Sequence, residues 1–523
     1  FKFNTGQQLH RDLTAQQQDD WFNGTVPDLL ETAYFGGLSA QAPAEAINAT
    51  DAYSVAMHEI GHLLGVPGAK DHDTPSIADG EYDINPVLVG GNTLAIVMVD
   101  TTPDEINDTH FAAGEALMNP SIPQGWRRHI STIDVLAAAS TANWTQIDLP
   151  RKEFLGGSFA SYNTSGNWIG NRVPDNNDEV NMRTGSTHQL TADGFAGDLF
   201  LTEGTDLITN THTLDASGTI NITQPSAATT VLSVSSAGRA EGDEININGG
   251  WLTLEGGTAV GFDWVRVMDN GPYPGEARGF GLLGAPDRLV NDGAIRAMNG
   301  TLTIAEDPFD AITPIWQLDG ETGFGELDAT QGSIVVDGPV SFPFDGDIHV
   351  GAGQSITFNE DWTLDEGGDE NAGFVYLNGM PTTPATLNGP GRVTVANVGT
   401  IDVDKLGHIN APVLLTGDGW LRVFNNDDTL VINGTTTLSG GRILGNGTVI
   451  QNGDVTVLSD TTITPEMYDW DGDNNDTVTS IFGGTLTLNT FDLSADGTDT
   501  FRGTVNVAGG TLDVNYNSEW TME

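Results

Sequence analysis

His58 and His62 stand four residues apart in the run YSVAMHEIGHLLG, Tyr53–Gly65. On a helix that spacing puts both imidazoles on one face, one turn apart. Two imidazoles so placed can grip one metal ion, and His-Glu-x-x-His on a helix is a zinc pattern. Glu59 follows His58 directly. Its carboxylate is placed to take a proton from a water on that metal, whose pKa zinc lowers to about 7. The chemistry of such a set is hydrolysis at neutral pH. The bare five-residue pattern also occurs on helices that bind nothing, so the surrounding text has to decide.

The element that must carry these residues is a helix over Thr50–Leu64. Thr50 or Asp51 serves as its N-cap, Gly65 as its stop, and Pro67 follows. A second helix is expected over Ser131–Ala142. Up to about residue 150 the text is mixed, with Ala-rich stretches between loops. From about Gly156 Gly, Asn, Asp and Thr punctuate short alternating apolar runs. Between Leu430 and Leu458 they read LVIN, TTTL, GRIL, GTVI and DVTVL, and GGTLTL at Gly483 recurs as GGTLDV at Gly509. Short strands at near-regular spacing without helices mean an all-β repeat. A parallel β-solenoid fits best, with a β-sandwich array as the alternative. The expected organisation is a domain over 1–150 and a solenoid over 151–523, with Asp148–Gly157 as the linker.

Composition narrows the classes. The 523 residues exceed one compact core. With 72 acidic against 19 basic residues the formal net charge is −53, which repels nucleic acid and anionic membranes. There is no cysteine, so disulfides and thiolate metal sites are excluded and any metal must be held by His, Asp or Glu. No apolar run is long enough to read as a membrane span. The chain starts at Phe1 without an initiator Met or a signal peptide and reads as a processed piece of a longer protein.

Two features beyond His58, Glu59 and His62 carry a resemblance. Gly65 lies three residues past His62, and Ala116–Pro120 reads ALMNP, followed by HISTIDVLAAA. Together these resemble the zinc site, Met-turn and C-terminal helix of metzincin metallopeptidases. The resemblance implies an α+β catalytic domain over 1–150, with Met118 beneath the zinc histidines. It also implies a third protein ligand. The usual position is Gly68, which cannot bind metal. His110, eight residues before Met118, is the preferred substitute, because a histidine just upstream of the Met-turn resembles leishmanolysin-like enzymes. His72, in the polar loop AKDHDTP, is the alternative, and a carboxylate from Asp71, Asp73 or Glu81 the third choice. Glu81 would be the ligand of a gluzincin, a reading that leaves Gly65 and ALMNP without a reason. The segments DGEYDINPVLVGG and IDLPRKEF resemble secreted bacterial metallopeptidases that join such a domain to β-repeats. Metzincins place a twisted sheet before the zinc helix; the text preceding His58 is helical or loop-like, so part of that sheet is expected to be missing.

The expected function is thus a secreted or cell-surface zinc endopeptidase acting on protein or peptide. The competing expectation is a surface or adhesion protein whose solenoid contacts glycan or cell surface, with a degenerate or self-processing protease domain. Two weaker signals remain. Trp168, in GNWIGNRVPDNNDEVNM, reads as a cap on the first coil, with sugar contact as the alternative. The oxygen-rich run Asp469–Asp476, DWDGDNND, is a candidate Ca2+ loop that lacks the terminal Glu of an EF-hand; a solvated turn between coils is the plainer reading.

Overall fold

The structure is a computed structural model. It describes residues 9–10, 39–41, 50–63, 81–89, 91, 94–97, 118, 126–128, 132–149, nearly all of 151–463, and the strands between 478 and 522. The chain divides into two compact units, Phe1–Pro174 and Asp175–Glu523. The division falls later than the boundary after residue 150 read from the sequence.

In the first unit, helix α1 spans Ala52–Leu63, close to the expected bounds. It starts straight after Thr50–Asp51, a two-residue strand paired in parallel with Leu9–His10. Ser39–Gln41 pairs antiparallel with Trp126–Arg128, and Glu81–Ile84 with Leu94–Val97. Helix α2 spans Thr132–Thr141. It ends in a Schellman turn: Asn143 takes φ 55°, its N–H donates to the Ser140 carbonyl at 3.1 Å, and the Trp144 N–H reaches the Ala139 carbonyl at 2.9 Å. Leu136, Ala137 and Ala139 form the buried face of α2 and share a core with Ile84, Leu88, Ile147, Leu149 and Ile169. Two alanines on that face bring the helix backbone close to its neighbours.

The segment Asp148–Gly157, read as a linker, is packed into this unit. Lys152 is fully buried, and its ammonium donates to Asp148 Oδ1 at 2.9 Å and to the Leu149 carbonyl. A buried ammonium needs such partners. The same hydrogen bond holds the Asp148 carboxyl below its usual range. Phe154 and Tyr162 each meet Trp168 edge-on at 4.8 Å, and the indole N–H donates to the Tyr162 carbonyl at 2.6 Å. No part of Trp168 reaches solvent. It is a core residue of its own unit, and a sugar has no surface there to touch.

The second unit is a parallel β-solenoid. Each coil lays one short strand on each of three faces. On the first face Glu179–Met182 pairs in parallel with Asp198–Leu201, which pairs with Thr219–Thr223. Thr187–Gln189, Asp206–Ile208 and Val231–Ser235 stack likewise on the second. Gly194–Ala196, Thr213–Ala216 and the start of Arg239–Asn248 stack on the third. A sandwich of antiparallel sheets does not pair this way. Coils differ in length, the short one from Glu276 to Ala294 being followed by the long one from Ala294 to Glu326, and three of the short runs seen in the sequence make one coil. LVIN stacks on GTVI and TTTL on DVTVL, while GRIL occupies the remaining face. The textual repeat at Gly483 and Gly509 does not mark the coil. Leu486–Leu488 pairs with Val505–Val507, whereas Leu512–Val514 pairs with Leu493–Ala495 on another face.

Alternate residues of each strand point inward, and the inward positions align from coil to coil. Val180, Leu199, Ile220, Ile245, Val265 and Leu289 form one such ladder, every member fully buried. Glycine appears where coils press together. Gly389 takes φ +135°, and a Cβ there would sit 1.8 Å from the Phe358 carbonyl oxygen. Among the described residues no helix is long and apolar enough to cross a membrane.

Candidate metal centre

Helix α1 places His58 and His62 one turn apart, and their side chains converge. The two Nε2 atoms lie 3.2 Å apart, with the ring planes nearly perpendicular at 86°. Two nitrogens held about 2.1 Å from one tetrahedral ion sit about 3.4 Å apart. The pair therefore has the bite that one zinc ion needs from two of its ligands. The same separation allows one ring to donate a hydrogen bond to the other. His58 is buried, at 7% exposure, while His62 is half-buried. Glu59 is half-exposed on the next position of the helix.

Gly61 explains how this helix is seated. A mid-helix glycine costs about 1 kcal/mol relative to alanine, so its presence between Glu59 and His62 needs a reason. A Cβ at Gly61 would fall 2.2 Å from Met118 Sδ. The thioether thus occupies the space a side chain would take, directly against the turn that carries both histidines. Met118 is 1% exposed and belongs to the core of its unit. Its backbone N–H donates to Asp134 Oδ1 at 3.1 Å, and Asp134 is itself buried in the first turn of α2. The two helices are therefore joined through one methionine. Its sulfur meets α1, and its backbone is tethered to α2.

Gly61 and Asp134 were not singled out in the sequence. For Gly61 the signal was the helix-weakening residue inside a strong helix. For Asp134 it was an acidic side chain in the apolar text of TIDVLAAA. The other candidates fall elsewhere. His110, His72, Asp71 and Asp73 lie outside the described residues, as does the Asp469–Asp476 run. Glu81 opens a strand in which it faces Val97 across the ladder. Among the described residues no group of three or more His, Asp or Glu gathers to hold a metal.

Two imidazoles with a carboxylate on the next residue and no thiolate are chemically suited to zinc, and the Met118 sulfur lies against Gly61 on the same helix. The chain matches no family model, no curated protein and no solved structure, so this centre stands on its own geometry.

Proposed function

We propose that residues 1–150 form the α+β catalytic domain of a zinc-dependent endopeptidase of metzincin type, secreted or at the cell surface, with the solenoid as its stalk. The supporting observation is the convergence of the His58 and His62 nitrogens at 3.2 Å, on a helix whose Gly61 lies against the Met118 sulfur. His58 and His62, with His110 as the preferred third ligand, would hold the zinc, which when bound would supply a Lewis acid for activating water near neutral pH.

Glu59 is the working base. Its carboxylate takes a proton from the attacking water as the new C–O bond forms. It then hands that proton to the leaving nitrogen as the C–N bond breaks, so that one side chain serves both halves of the hydrolysis. Met118 and Asp134 touch no substrate; they keep the histidine-bearing turn in place.

Replacing Glu59 with Gln keeps the size and removes the basic oxygen. Zinc content, measured on the purified full chain, is expected to be unchanged. Turnover of a casein or gelatin substrate is expected to fall by at least about a hundredfold. Near-normal turnover in Glu59→Gln would remove this role, and chelator-resistant proteolysis would remove the zinc reading altogether.

A further inference from the structure

The three faces of the solenoid share one kind of interior but not one kind of exterior. On the first face an outward column runs Thr363, Thr394, Leu414, Thr437, Thr456. On the third, Thr303, Val335, Thr357 and Asn388 follow one another. There Asn388 continues into an asparagine ladder, with Asn410, Asn433 and Asn452 each donating to the preceding amide at 2.6–2.7 Å. These columns are neutral, and the asparagines bond along their own ladder.

On the second face the column is charged and aromatic, and it begins three coils before the first-face column, where the first face is itself charged, with Arg288 over the Trp264 ring. Arg278 stands beside Arg296, and Arg296 beside Asp328. His349, Tyr376, Asp402 and Arg422 continue the column in unbroken register. Seven side chains at one per coil span about 29 Å. The neighbouring column adds Glu326, Asp347 and Phe374, two positions earlier on the same strands. His349 and Tyr376 lie flat on each other, 4.8 Å apart at 7°, and Tyr376 lies along Phe374 at 5.5 Å. The rings are therefore held in a stack, with both His349 and Tyr376 half-buried.

We infer that this face of the solenoid, centred on His349 and Tyr376, is a binding surface for an uncharged polysaccharide. It goes beyond the peptidase reading and does not depend on it. Charge decides the class of ligand. Arg296 lies 3.1 Å from Asp328 and 3.5 Å from both Glu276 and Glu326, and Arg422 lies 3.1 Å from Asp402. The two columns hold three arginines, Arg278, Arg296 and Arg422, against five carboxylates, Glu276, Glu326, Asp328, Asp347 and Asp402, so the face is acidic, disfavours an anion and offers oriented donors and acceptors that suit hydroxyl groups. A polyanion would meet a chain of net charge −53. Among the described residues, the exposed Phe424 lies against Arg422 at one end of the column and no other large exposed apolar side chain falls in either column, so the middle of the face lacks the apolar centre that a protein partner buries. Burial and the carboxylates of Asp347 and Asp402 together raise the Tyr376 phenol above its usual range, which keeps its proton available for donation.

The test is affinity electrophoresis of the full chain through gels containing galactomannan, xyloglucan or mixed-linkage β-glucan, with alginate as the anionic control. Retardation is expected in at least one neutral gel and not in alginate. Tyr376→Ala and His349→Ala are expected to weaken it about tenfold or more, and Tyr376→Phe to weaken it while keeping the ring stack. Thr357→Ala, on the third face, should leave it unchanged. Absence of retardation in every neutral gel overturns the inference. So does retardation by alginate alone, or binding that survives both alanine variants.

Discussion

At the scale of single residues, the open question at the proposed centre is which side chain completes the pair His58–His62. The two histidine nitrogens lie 3.2 Å apart, and under the proposed function the third ligand decides whether zinc is held. His110→Ala is expected to abolish both zinc content and proteolysis, and His72→Ala to leave both largely intact. Metal analysis of the two purified variants settles it, and loss of zinc in His72→Ala with retention in His110→Ala reverses the assignment. The convergence of His58 and His62 was legible from spacing alone, because a helix converts a separation of four into a shared face. Gly61 and Asp134 were not. Their roles depend on Met118, which is distant in sequence from Gly61 and becomes its neighbour only on folding.

At the scale of elements, α1 is seated on the Met118 turn with no room to spare. Gly61→Ala improves helix propensity yet places a methyl group where the thioether lies. Overpacking of this kind costs about 1–3 kcal/mol. The expected outcome is a lower thermal midpoint for the first unit together with weakened zinc retention, while the solenoid's transition stays where it was. A midpoint raised by the added methyl would mean that Met118 moves aside freely. Both helices were legible to within about two residues, since capping and stop signals are local. The segment Asp148–Gly157 was misread because Pro150 and paired glycines are also linker chemistry, and nothing local announces that Lys152 is buried. Strand existence in the solenoid was legible from alternation. Face assignment was not, since the resemblance of GGTLTL to GGTLDV reflects turn chemistry shared by all three faces.

At the scale of the whole molecule, the acid-rich surface has a stability consequence. Burial pushes the Asp402 carboxyl up to about 6, against a weaker opposing pull from Arg422. Burial likewise raises Asp206 and Glu326. A carboxyl whose native pKa is raised binds its proton more tightly when folded. Its contribution to stability is therefore full below the unfolded pKa and is lost as pH rises through the folded value. For Asp402 that loss falls around pH 6, and lowering the pH from 7.5 to 5.5 recovers about 1 kcal/mol. The solenoid's thermal midpoint is expected to rise over that interval, with Asp402→Asn flattening part of the rise. A midpoint that falls steadily from pH 7.5 to 5.5 would contradict this balance.

Stacking by coils also makes length a counted quantity. Thr400 pairs with Phe374 on one side and Trp420 on the other. Excising residues 400–419 removes one strand from each face and brings Trp420 beside Phe374 with inward and outward positions preserved. An excision starting at residue 400 that runs one position short of Gly419 or one beyond it sets an inward position beside an outward one on the second face and turns core side chains to water. Duplication or loss of whole coils is thus the cheap route by which such a gene changes size, and each coil gained or lost alters the rod's reach by about 4.8 Å.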